Sequence, residues 1–118
     1  MKRTISVGLA LTLILLATLN LQAQTRIKFR RGASSATVSG RIGVNRGVAG
    51  ANYRNFVIHA GAGQTITATV SSNNGKVVFA ENDQTTYTIN TDSARDYELH
   101  IYNGGANNAT FKLTVSIR

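Results

Sequence analysis

The sequence contains no cysteine. That excludes disulfides, a cysteine-linked lipid anchor and every thiolate metal site. A small domain without such staples must be held by apolar burial and backbone hydrogen bonds alone, so a regular fold is expected. Tryptophan is also absent, and the tyrosines are only Tyr53, Tyr87, Tyr97 and Tyr102, which leaves few side chains to stack on sugars or bases. Acidic residues number 5 in 118, all between Glu81 and Glu98, and the only histidines are His59 and His100.

Catalysis by a carboxylate pair or an activated nucleophile needs a convergent set of carboxylate, imidazole and hydroxyl groups, and that material is thin here. His59 and His100 alternate with core-type neighbours Ile58, Leu99 and Ile101, which places both imidazoles on the surface. Glu81 and Asp83 flank Asn82 on a short loop, too few oxygen ligands for a calcium loop, and they read as a solvated turn. Gly61-Ala62-Gly63 precedes a strand rather than a helix, so it lacks the helix N-terminus that cradles phosphate. No catalytic residue, metal ligand or cofactor is assigned, and the chain is read as a non-enzyme. Only a meeting of Glu81 or Asp83 with His59 or His100 in a pocket would revive an enzyme.

The N-terminus carries Lys2 and Arg3, an apolar stretch from Ile5 to Leu19, and Leu21-Gln22-Ala23. This is the three-part layout of a signal peptide, expected over residues 1–23 with cleavage after Ala23. The apolar stretch is shorter than the ~20 residues of a spanning helix, so no membrane span is expected after cleavage. The remaining residues 24–118 allow a single domain with one core. Export follows, with the periplasm favoured over the medium.

Of 13 Lys and Arg, Lys2 and Arg3 fall in the leader, which leaves 11 basic residues against 5 acidic ones and a formal charge of +6. The charge is uneven: Arg26, Lys28, Arg30, Arg31, Arg41, Arg46 and Arg54 lie early, and the carboxylates lie late. Such a field favours an acidic partner surface, which includes an acidic cell surface or a glycan. Export argues against nucleic acid.

From residue 26 the apolar period is two. Phe111, Leu113, Val115 and Ile117 alternate with Thr110, Lys112, Thr114 and Ser116. The same rule marks Ala36 to Ile42 and Thr65 to Val70, and further strands are read at 26–30, 53–59, 76–80, 85–90 and 96–102. Connections are rich in Gly and Asn, with Asn74-Gly75 the strongest hairpin signal. About eight short strands and no helical period predict an all-β, antiparallel, jelly-roll-like β-sandwich. Tyr87 and Tyr97 share parity with the core, whereas Tyr102 faces outward.

Residues 43–52 depart from this grammar. The run is Gly-rich with one charged residue, Arg46, and it ends at Asn52 before Tyr53. A protruding loop is expected there, the usual position for binding residues on a rigid sandwich. Tyr53, at its exit, is the recognition candidate among the tyrosines.

The segment from Arg26 to Ile42, RIKFRRGASSATVSGRI, resembles the start of mature periplasmic inhibitors of goose-type lysozyme. Tyr53 to Gln64 and Tyr97-Glu98-Leu99 are similar to the same family. The second half looks equally like bacterial pre-peptidase C-terminal modules. The first resemblance implies a jelly-roll-like sandwich whose loops enter a lysozyme cleft and block it. The partner would be a lysozyme or another peptidoglycan-degrading protein. It implies roles for Ser39-Gly40 and a following Tyr, here Tyr53. The family's late loop usually offers an Arg, and here that loop reads Asn103-Gly104-Gly105-Ala106-Asn107-Asn108, which shifts the positive role to Arg46. The partner-binding set is therefore Ser39, Gly40, Arg46, Asn52, Tyr53, Asn103 and Asn107. The alternative is a wall- or glycan-binding structural module without inhibitory activity.

Overall fold

The structure, a computed structural model, describes residues 24–118. The signal peptide expected over residues 1–23 lies outside the described residues. Eight strands follow one another: β1 (Gln24–Arg26), β2 (Ser35–Ile42), β3 (Tyr53–Ala60), β4 (Thr65–Ser72), β5 (Val77–Phe79), β6 (Thr86–Asn90), β7 (Arg95–Asn103) and β8 (Ala109–Ile117). They form two four-stranded sheets, ordered β1-β3-β7-β5 and β2-β8-β4-β6. The all-β sandwich read from the sequence is thus the fold.

Period-two alternation builds each inner face. On β8, Phe111, Leu113 and Val115 are buried while Lys112 and Thr114 are exposed. On β4 the buried set is Ile66, Ala68 and Val70, and on β7 it is Tyr97, Leu99 and Ile101. Phe79, Leu99, Leu113, Ile58 and Ile66 are among the fully buried side chains between the layers. Phe56 and Phe111 meet edge-on across the gap with ring centroids 6.1 Å apart, a favoured aromatic geometry. Tyr97 is buried and Tyr87 is half-buried against Phe79, at 6.0 Å between rings.

Odd-numbered strands occupy one sheet and even-numbered strands the other. Every connection therefore crosses from layer to layer. This corrects the reading of Asn74-Gly75: the dipeptide does turn the chain, with Gly75 at φ 68° and the Lys76 amide donating to Asn74 Oδ1 at 3.0 Å. The strands it joins, β4 and β5, lie in different sheets, so it makes an arch and not a hairpin. A turn signal encodes a reversal of direction, not the partner of the strands on either side.

The N-terminal strand also differs from expectation. Strand pairing stops at Arg26, and β1 runs parallel to β3, whereas the pairings around β3–β7 and β2–β8 are antiparallel. Ile27 still donates its amide to Val57 at 2.9 Å and is buried, and Phe29 packs on the core. The alternation Ile27, Phe29 marks side chains that are buried while the backbone peels off the sheet edge. It then turns where Ala33 N donates to Arg30 O at 2.8 Å, and crosses to β2.

Because the core is a single layer of interdigitated side chains, Leu113→Ala is expected to cost roughly 2–5 kcal/mol. Lys112→Ala, one residue away on the exposed face, is expected to change stability by less than about 0.5 kcal/mol. Urea unfolding of the two variants checks this, and similar losses would contradict the assignment of faces.

Candidate functional site

Three connections meet at one end of the sandwich: 43–52 between β2 and β3, 73–76 between β4 and β5, and 104–108 between β7 and β8. Asn103 binds them together. It ends β7 at an inward-facing position and is 3 % exposed. Its Nδ2 donates to Gly43 O (3.1 Å) and Asn107 O (2.9 Å), with Ile42 O at 3.5 Å. Its Oδ1 accepts from Gly105 N (2.9 Å) and Asn74 Nδ2 (3.2 Å), and its own amide donates to Asn52 O (2.9 Å). Asn103, expected in the partner-binding set, is buried and fully hydrogen-bonded, and it shapes the loops around it. Asn52 contributes through its backbone to the same clasp.

Around this clasp stand exposed groups. Arg46 reaches across from the first loop, its Nη2 donating to Ala106 O in the late loop at 3.4 Å. The late loop lacks an arginine of its own, and this contact brings one to it. Asn107 is exposed beside it. Val48 at the loop tip and Tyr53 at its exit are the exposed large hydrophobics among the described residues. The Tyr53 ring lies 5.6 Å from that of Tyr102, its register partner across β3 and β7. Tyr102 is half-buried and donates to Asp83 Oδ1 at 2.7 Å, and the neighbouring carboxylate pushes its phenol above the ordinary value. Tyr102 is thus outward-facing but occupied.

The other sequence-derived positions sit apart. Ser39 is exposed on β2 opposite Lys112. Gly40 faces Phe111, where an added Cβ would lie 3.1 Å from the ring. That makes Gly40 a packing residue: the aromatic ring fills the space a side chain would need. Both line a shallow hollow of about 520 Å³ with Arg41, Ser71 and Lys112, on the even-stranded sheet rather than within the loop cluster.

Sequence reading missed Arg54. Its position on β3 has inward parity, but it lies past the end of the core. The side chain therefore turns to the opposite sheet, and Nε and Nη2 donate to Arg41 O at 3.0 and 2.6 Å. The alternation alone could have flagged it, as a charge at an inward position. Arg41, Arg46 and Arg54 have no carboxylate within ion-pair distance among the described residues.

The carboxylates are engaged elsewhere, chiefly on the outer face of the β1-β3-β7-β5 sheet. Asp96 accepts from Arg26 at 2.7 and 3.2 Å and faces His59 Nδ1 at 3.2 Å. The Arg26 hydrogen bond, with that of His59 next, holds its carboxyl at about 2. At the far end Asp92 accepts from Tyr97 Oη, which lowers its pKa, and Arg95 lies over the Tyr97 ring at 3.9 Å. His59 is exposed as expected; His100 is half-buried. Glu81 does meet His100, accepting from its backbone amide at 2.9 Å and facing Nδ1 at 3.0 Å. Nε2 of the same ring lies 3.7 Å from Glu98, beyond hydrogen-bond reach, so Glu81 is the carboxylate that orients the ring. The ring borders a hollow of about 410 Å³ with Gly50, Tyr53, Asn55 and Ala80. Among the described residues no cluster of His, Asp and Glu could hold a metal ion.

No protein-family model matches the chain, and no curated protein sequence matches it. Solved structures do. The periplasmic inhibitor of g-type lysozyme from Aeromonas hydrophila superposes with a TM-score of 0.64 at 19 % identity, covering 80 % of this chain and 96 % of that one. A mutant of the Escherichia coli inhibitor gives 0.58 at 17 %, over 80 % and 97 %. The pre-peptidase C-terminal domain of a Bacillus anthracis collagenase gives 0.51 at 12 %, over 84 % and 100 %. The chain therefore shares the β-sandwich fold of both groups.

Two outcomes follow from this geometry. Asn103→Ala leaves the Gly43 and Asn107 carbonyls and the Gly105 amide without their partner, at an expected cost of about 1–3 kcal/mol. Amide exchange should then accelerate in 43–52 and 104–108 before the strands. Because Asp96 is lowered, the Arg26 contact stabilises in full above the ordinary carboxylate value of about 3.9 and is lost as pH falls through about 2. NMR titration should find that low midpoint, and Arg26→Gln should raise it.

Proposed function

We propose that residues 24–118 form an exported, non-catalytic inhibitor that binds a lysozyme, the g-type favoured, and blocks its cleft by inserting the 43–52 loop. The periplasm is its favoured location. The observation that carries this reading is the contact of Arg46 with Ala106, which sets a guanidinium with no carboxylate partner on the loop end of the sandwich, on the same loop as the exposed Val48 and just before the exposed Tyr53. A glycosidase cleft carries catalytic carboxylates. A rigid scaffold presenting arginine without a neighbouring carboxylate is attracted to such a cleft and meets no internal competition there. The aromatic and apolar groups beside it supply the contact area that charge alone does not. In this reading Asn103 and Asn52 shape the loops, Arg46, Tyr53 and Asn107 touch the partner, and Ser39-Gly40 supports the adjoining strand. The shared fold with g-type lysozyme inhibitors supports the choice of partner.

A second reading has its own observation. The Tyr53–Tyr102 pair beside the hollow that His100 borders offers aromatic surface suited to stacking on a sugar ring, as a wall- or glycan-binding module would need.

Titration of the purified protein into g-type lysozyme acting on cell walls tests the first reading. Lysis should slow, and added salt should weaken the effect. Arg46→Ala and Tyr53→Ala should each weaken inhibition by on the order of tenfold or more, with Lys112→Ala unchanged. No slowing at micromolar excess overturns inhibition, and retention on peptidoglycan without slowing would establish the second reading.

A further inference from the structure

Beside the loop cluster, between the edges of the two sheets, lies a hollow of about 330 Å³ lined by Arg41, Ile42, Gly43, Arg54, Asn73, Asn108, Ala109 and Thr110. No carboxylate contributes to it, and its polar side chains are two guanidinium groups, two amides and a hydroxyl. Two of them are held in place. Arg54 spends Nε and Nη2 on the Arg41 carbonyl, which fixes the plane of its guanidinium and leaves Nη1 outside that contact. Asn73 accepts the Thr110 amide on Oδ1 at 3.0 Å while its own amide donates to Thr110 O at 3.2 Å. With the amide oxygen spent, the Nδ2 group is the end left for a ligand.

We infer that this hollow is a binding site for a phosphate group. The chemistry is that of an oxyanion site: cationic and N–H donors line it, no acidic group opposes them, and the Arg54 and Asn73 groups are fixed before a ligand arrives. The donors come from five separate segments, β2, β3, the β4–β5 connection, the β7–β8 connection and β8, so they do not share one edge. That suits the tetrahedral oxygens of phosphate better than a flat carboxylate. The volume exceeds that of a bare anion, so a phosphate carried on a larger molecule fits as well as the free ion. The site is independent of lysozyme inhibition, since its ligand is read out directly.

Inorganic phosphate, glycerol phosphate and acetate, each titrated at low and constant ionic strength and followed by NMR, test it. The Arg54 Nε–H, the Thr110 amide and the Asn73 side-chain amide are expected to shift saturably with phosphate at about millimolar concentration. Glycerol phosphate binding at least as tightly identifies a carried phosphate as the ligand, and weaker binding identifies the free ion; either supports the site. Arg41→Gln, which keeps the carbonyl that holds Arg54, should weaken phosphate binding about fivefold or more, against less than about twofold for Lys112→Gln, which removes the same charge from β8. Linear, non-saturating shifts, acetate binding as tightly as phosphate, or equal effects of the two substitutions would overturn the assignment.

Discussion

The loop end of this protein depends on one buried amide. Because successive strands alternate between sheets, every connection is an arch over the end of the sandwich, and none is closed by a hairpin ladder of its own. The backbone groups of those arches still need partners. Asn103 meets this need at one end, reaching carbonyls in 43–52 and 104–108 and accepting the Gly105 amide and, from 73–76, the Asn74 side chain. Thr91, the other buried polar residue among those described, does the equivalent work at the far end: its hydroxyl donates to Gly61 O at 2.6 Å and accepts from Gln64 N at 2.7 Å. Buried polar groups are costly unless satisfied, and no buried side-chain nitrogen or oxygen among the described residues lacks a partner. Without disulfides, these two clasps are what convert an apolar core into a defined set of loops.

Charge is sorted by the same architecture. The late carboxylates lie on or beside the odd-stranded sheet, where Arg26, His59, His100 and Tyr102 engage them. At the loop end the Arg46 and Arg54 guanidinium groups bond to backbone carbonyls instead, and Arg41 stands beside them with no carboxylate in ion-pair distance among the described residues. A guanidinium bonded to a carbonyl is held in position yet keeps its full charge. Two of these positive charges are therefore held in place by the backbone itself. A protein cleft lined with carboxylates and a small phosphate ligand would both find that arrangement favourable, for the same electrostatic reason.

Much of the fold was legible because burial on a strand has a period of two. Phe111, Leu113 and Val115 could be assigned inward from their spacing alone, and Tyr97 likewise. The candidate site was legible in part. Arg46 and Tyr53 stood out because a charged and an aromatic residue bounded a small-residue loop. The surroundings of Gly40 and Asn103 were not legible, because the ring of Phe111 over one and the Ile42 and Gly43 carbonyls at the other come from segments sixty or more residues away. Arg54 was passed over because its partner, the Arg41 carbonyl, lies in the opposite sheet.

The sequence by itself determined the class of fold, the approximate strands and the face each side chain shows. These follow from local alternation and from turn residues, whose preferences act within a few positions of the chain. Only the tertiary structure decided which strands pair, that Asn74-Gly75 makes an arch, that β1 runs parallel to β3, and which polar groups meet at the loop end. Those outcomes depend on the docking of two sheets through a shared core, a collective packing that no short stretch of residues encodes.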